Sequence, residues 1–260
     1  MLKVLKYSFY DLGRSRWSYI YFCFYLALGF VLLFLNNDLS KAIITLMNVI
    51  IVLVPLIGTI FGVMYYYNSV EFTELLLAQP IKRRNIFLGQ YLGISISLSL
   101  SLLLGIGIPF MIYGLLKSAA IFDFFLLLLT GAFLTFIFVA LAFNISLRNE
   151  NKIKGFGYAV LLWLFLAVIY DGIFLMSLMV FEDYPLDKFS LIGTLLNPID
   201  LSRTLILLKL DISALMGYTG AVFKNFFGTS SGMIISIVSL FLWIIFPVFA
   251  FVLKARTKDF

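Results

Sequence analysis

Six long apolar runs organise the chain, at residues 17–35, 43–66, 87–113, 121–147, 156–181 and 233–253. Each is long enough for a helix to cross a bilayer core, which takes about 20 residues. A single segment satisfies its own backbone in lipid only as a helix. The pattern therefore predicts an all-α integral membrane protein, with residues 1–260 as one transmembrane domain. The third run adds a second periodicity: Gly89, Gly93, Ser97, Ser101 and Gly105 recur every four residues. In a helix they form one stripe of small side chains, which lets a neighbouring helix approach closely. The alternation Ser95, Ser97, Ser99, Ser101 imitates a strand, but a lone strand cannot span a bilayer.

Three segments between the runs carry further order. At the N-terminus Leu2, Leu5, Phe9 and Leu12 share a helical face, with Lys3, Lys6, Arg14 and Arg16 around it. This predicts a basic amphipathic helix in the membrane interface, the alternative being a simple topogenic tail. In 68–84, Asn68 is a candidate cap, answered by Glu71 in the manner of a capping box. Phe72, Leu75 and Leu76 then fall together, Pro80 stops the helix, and Lys82, Arg83 and Arg84 return the chain to the membrane. Such a short amphipathic helix either docks on a partner or floats on the interface. Residues 182–232 form the one long connection. Asn197-Pro198 reads as a cap followed by proline at the first helical position, with Asp200 near the positive helix end. Leu201, Leu205 and Leu208 continue that helix; Asp211 is a candidate cap for a second, through Met216, Val222 and Phe223. This external helical loop either binds something outside or packs on its own spans.

Composition agrees with lipid as the main solvent. Hydrophobic residues make up 63% and charged residues 12%, and the mean hydropathy is +1.08; a soluble domain is about half apolar and a quarter charged. The net charge of +6 does not point to nucleic acid, because the cations sit where membrane topology places them. With the N-terminus inside, thirteen of the 19 Lys and Arg fall on cytoplasmic segments. The positive-inside rule then predicts both termini in the cytoplasm. The Asn36-Asn37-Asp38 sequence after the first run offers no small-residue cleavage site, so that run is read as an anchor.

Candidate chemistry is sparse. The chain has no His and a single cysteine, Cys23, which removes disulfides, zinc fingers and Cys/His nucleophile pairs. No phosphate-cradling Gly-x-x-x-x-Gly-Lys-Ser/Thr loop is present. No catalytic residues and no metal ligands are expected. Met176, Met179 and Met216 are thioethers that would suit Cu(I), yet methionine is also ordinary bundle filler. Asp171, the one acid deep in a span, is either a functional ion or proton site, a hinge, or a structural hydrogen bond to a Tyr or Ser.

The stretch Glu71-Phe72-Thr73-Glu74-Leu75-Leu76-Leu77-Ala78-Gln79-Pro80-Ile81-Lys82-Arg83-Arg84 resembles the segment after the second span in permease subunits of type-2 ATP-binding cassette (ABC-2) transporters. That segment reads as two acids, leucines, proline and paired basic residues; here the acids are three apart and the basic residue usual before them is missing. The resemblance implies a six-span permease bundle with an amphipathic N-terminal helix. It implies that 68–84 is the cytoplasmic coupling helix, in which Glu71, Phe72, Glu74, Leu75, Leu76, Pro80 and Arg83 meet a separate ATPase. That partner, in two copies, would bind Mg-ATP, and this chain, paired with a second copy of itself, would hold no cofactor.

Tyr170-Asp171, the run from Asn197 to Arg203 and the run from Ala214 to Phe223 resemble a narrower group: the membrane subunits that serve maturation of the copper centres of nitrous oxide reductase in denitrifying bacteria. This implies the bacterial inner membrane. It also implies a periplasmic copper-binding partner docked on Asn197, Pro198, Asp200, Arg203, Met216, Tyr218 and Phe223. The alternatives are an exporter of a lipid, drug or ion on the same fold, gliding-motility permeases included, and a membrane scaffold without an ATPase.

Overall fold

The computed structural model describes residues 1–14, 16–36, 38–118, 120–181, 186–209 and 230–257. Most of these residues are helical, and no strand occurs among them. The order is α1 (Leu2–Arg14), α2 (Arg16–Leu35), α3 (Leu39–Asn68), α4 (Val70–Leu77), α5 (Arg83–Ile112), a 3-10 turn (Leu115–Lys117) and α6 (Ile121–Arg148). There follow α7 (Lys152–Leu164), a π-helical segment (Phe165–Ile169), α8 (Tyr170–Val180), α9 (Asp187–Leu195), α10 (Pro198–Lys209) and α11 (Ser230–Thr257). Six helical stretches are long and apolar enough to cross a membrane: α2, α3, α5, α6, α7–α8 taken together, and α11. The chain is a multi-pass helical membrane bundle.

Several spans start or end beyond their apolar runs because polar residues cap them. Asp38 accepts from the Ser40 N–H at 3.0 Å and starts α3. Asn151 accepts from the N–H groups of Ile153 and Lys154 and starts α7. α3 and α5 are 30 residues each, about 45 Å at 1.5 Å per residue. Both exceed a core of about 30 Å, so their ends carry the extramembrane helices.

Close backbone approach organises the bundle centre. α3 packs along α6, where a Cβ on Gly62 would stand 2.8 Å from that of Ala142. The α5 stripe faces the N-terminal helices. A Cβ on Gly89 would meet Val4 at 2.9 Å, one on Gly93 would meet Ser8 at 2.6 Å, and one on Gly105 would meet Tyr25 at 2.7 Å. Ser97 is buried between these contacts, and Ser101 donates to the Ser97 carbonyl at 3.0 Å. α1 and α2 thus run parallel to α5 in one continuous track.

Two elements gain detail. The side of α1 that meets the protein is centred on Val4 and Ser8, with Leu5 and Phe9 half-buried, while Leu2 is 76% exposed, as the apolar face of an interfacial helix can be. Short side chains sit there because the glycines of α5 leave no room for leucine. The second is 182–232, whose described part packs on its own spans. α9 and α10 form a pair bent by 114°, and α10 enters the bundle against α3, α6 and α11. Ile199, Leu201, Leu205 and Ile206 are all buried. Asp211, Met216, Tyr218 and Phe223 lie outside the described residues.

Candidate functional site

The fifth span is not a uniform α-helix. At Phe165–Ile169 it widens into a π segment, where the Tyr170 N–H reaches five residues back to the Phe165 carbonyl. Such insertions release a carbonyl from the regular ladder and often mark functional sites. Here the Leu166 carbonyl accepts from the side chain of Asn197, at 2.8 Å.

Asn197 does three things with one amide. Its Oδ1 accepts from the Ile199 N–H at 3.0 Å, the capping bond expected at the start of α10. Its Nδ2 donates to Leu166 and to Asp200 Oδ2, the latter also at 2.8 Å. Pro198 fills the first helical position, where no N–H is missed. One turn further, Arg203 Nη1 donates to Asp171 Oδ2 at 2.9 Å and stands 3.5 Å from Asp200 Oδ1. The Tyr170 hydroxyl donates to the Gly193 carbonyl at 2.7 Å, tying α8 to α9. The bend between α9 and α10 is therefore sewn to the π segment by hydrogen bonds and one shared guanidinium. Two carboxylates facing one arginine leave a formal excess of one negative charge. Asp200 Oδ1 and the buried Ser202 hydroxyl lack a hydrogen-bond partner.

This arrangement answers the question raised by Asp171: its partner is Arg203 of α10, not a Tyr or Ser of a neighbouring span. It also corrects the docking reading of the loop. Asn197, Pro198 and Asp200 are buried and turned inward, while Arg203 stays partly exposed. Turned inward, they satisfy backbone and charge that lipid could not. The sequence carries one sign of this pairing: an acid in an apolar span requires a cation, and Arg203 stands three residues beyond Asp200. Met176 and Met179 are 70% and 75% exposed on α8. Among the described residues no three His, Cys, Asp or Glu gather where they could hold a metal.

The second candidate surface is α4. Asn68 is the last residue of α3, not a cap, and its side-chain oxygen accepts from Lys152 Nζ at 3.1 Å. Ser69 takes the cap position, but its hydroxyl donates back to the Tyr66 carbonyl and caps nothing. Glu71 therefore has no capping box to complete. The reason is that α3 turns into α4 through one residue, leaving no separate helix start.

α4 is fastened on its inner side. Phe72 stacks on Tyr7 of α1 with ring centroids 4.4 Å apart. The buried Thr73 hydroxyl donates to the Ser69 carbonyl and accepts from Gln90 Nε2 of α5 at 2.8 Å. Phe72 is thus occupied within the chain. Leu75, 68% exposed, remains outward with Glu71, Glu74 and Pro80, while Leu76 is half-buried. Arg83 opens α5 beside it. Compared with known proteins, the chain matches no family model and no curated protein.

Proposed function

We propose that the chain is the membrane subunit of an ABC-2-type transporter complex, receiving motion from a separate cytoplasmic ATPase through α4. The observation that carries this reading is Leu75: an exposed leucine, flanked by Glu71 and Glu74, on a helix held to α1 by Phe72 and to α5 by Gln90. A helix that transmits force needs an apolar contact outward and a rigid attachment behind it. The ATPase pair, not this chain, binds and hydrolyses Mg-ATP, and two copies of the chain sit in the bacterial inner membrane with both termini cytoplasmic.

Displacement of α4 reaches α1 and α5 first. At the far end, the α9–α10 bend is the element proposed to respond, because it is tied to the π segment through Asn197 and the Leu166 carbonyl. Movement of the bend would shift Asp171 against Arg203. In the narrower resemblance the chain corresponds to NosY of the NosDFY complex. A periplasmic copper-binding, NosD-like partner would then follow that movement during nitrous oxide reductase maturation, with metal handled by the partner.

The test is co-purification from the native host in mild detergent, with mass spectrometry of what accompanies the chain. An ATPase together with a periplasmic copper-binding protein supports the full reading. An ATPase alone supports an ABC-2 exporter instead, and the absence of both overturns the transporter assignment.

A further inference from the structure

A groove of about 830 Å³ opens on the bundle surface between α5, α6 and α11. Its walls are apolar, with Leu92, Phe133, Phe241 and Val248 among them, and one end is closed by Arg84 and Arg256. The size is that of a small-molecule site. The Tyr91 hydroxyl, which also lines it, donates to the Phe136 carbonyl at 3.1 Å, so it does not need a ligand. Polar recognition is left to the two arginines. Both are exposed, and among the described residues neither guanidinium has an ion pair or hydrogen bond.

The dimensions add a second argument. From Phe241 to Arg256 the groove follows α11 for about 22 Å at 1.5 Å per residue. Half of a bilayer core is about 15 Å. The groove therefore runs from mid-membrane to the headgroup level of one leaflet, where the cations stand. Guanidinium groups match the oxygens of a phosphate.

We propose that this groove binds an anionic phospholipid of the membrane, its phosphate between Arg84 and Arg256 and an acyl chain along α11 toward Phe133 and Phe241. The site is separate from α4 and from the Asp171–Arg203 pair, and it does not depend on an ATPase partner.

The test is native mass spectrometry of the full chain in mild detergent, titrated with phosphatidylglycerol or phosphatidylcholine of identical acyl chains. One phosphatidylglycerol should be retained at least tenfold more tightly than phosphatidylcholine. The R84Q/R256Q double variant should lose that preference, with melting unchanged. R84K/R256K should keep part of it, since lysine still meets phosphate as a point charge. K82Q, which removes a cation next to but outside the groove, should keep all of it. Equal retention of the two lipids, or full preference in R84Q/R256Q, overturns the proposal. So does efficient cross-linking of two copies through Phe249→Cys in a Cys23→Ser background, which would assign the groove to a second copy of the chain.

Discussion

Arg203 on α10 donates to Asp171 on α8 at 2.9 Å, across 32 residues of sequence. The pair joins a span to α10, beyond the bend that follows α9, and Asp200 shares the same guanidinium. Both partners keep about a quarter to a third of their side-chain surface exposed. Truncating one partner of a fully buried pair costs about 3–5 kcal/mol, and exposure reduces this. Arg203→Gln should therefore destabilise the purified chain by roughly 1–3 kcal/mol. Asp171→Asn in the same background should recover part of the loss. Thermal melts of the wild type, both single variants and the double variant supply the cycle; purely additive losses would mean that the two side chains are not coupled.

Asn197→Ala removes a cap and leaves the Leu166 carbonyl without its side-chain donor. Cap losses cost about 0.5–2 kcal/mol and an unsatisfied buried group about 1–3 kcal/mol. The expected fall in stability is about 2–4 kcal/mol, read as a lower midpoint in detergent melts. Asn197→Asp keeps the cap acceptor but sets a carboxylate against Asp200 and the Leu166 carbonyl, so at neutral pH it should lose at least as much as alanine; a wild-type midpoint for either variant contradicts the three-way role.

Thr73 and Gln90 should behave asymmetrically. Thr73→Val leaves the buried Gln90 amide without its partner, at a cost of about 1–3 kcal/mol. Adding Gln90→Leu removes both polar groups and should return much of that loss, because a fully apolar contact needs no partner. The melting midpoint of the double variant, compared with Thr73→Val, decides it.

Gly93→Val should push α1 away from α5, since even a Cβ there would stand 2.6 Å from Ser8. Overpacking of this kind costs about 1–3 kcal/mol. Limited trypsin cleavage after Lys3 and Lys6 should accelerate while the remaining spans stay protected. An unchanged cleavage pattern would show that α1 accommodates the side chain.

Leu75 and Phe72 separate coupling from stability. Leu75→Glu should shift stability by no more than about 0.5 kcal/mol, as exposed substitutions do, yet abolish stimulation of the partner ATPase. Phe72→Ala, which removes the stacked contact with Tyr7, should lower the melting midpoint as well. Full ATPase stimulation in Leu75→Glu would remove α4 as the coupling helix.

Much of the architecture was readable along the chain. Membrane class and six spans follow from hydropathy, because crossing lipid is a local requirement met within about 20 residues. The start of α10 at Asn197-Pro198 was equally readable, since capping is chemistry between neighbours. The stripe Gly89, Gly93 and Gly105 announced close packing by its spacing alone. Not legible were which side of α1 meets the protein, the end of α3 at Asn68 and the inward turn of Asn197, Pro198 and Asp200.

These features share a cause. In lipid, apolar side chains suit both the bundle interior and the acyl chains, so hydrophobicity does not separate a buried face from an exposed one. Leu2 is therefore exposed while Ser8 is buried, a choice made by the glycines of α5, some eighty residues away. The sequence by itself determined that the chain lives in a membrane, how many helices can cross it and where several of them begin. Only the tertiary structure decided that α10 enters the bundle, that the fifth span widens at Phe165–Ile169 to meet Asn197, and that Asp171 pairs with Arg203. Each of these depends on unsatisfied groups finding one another across the fold, which no local pattern encodes.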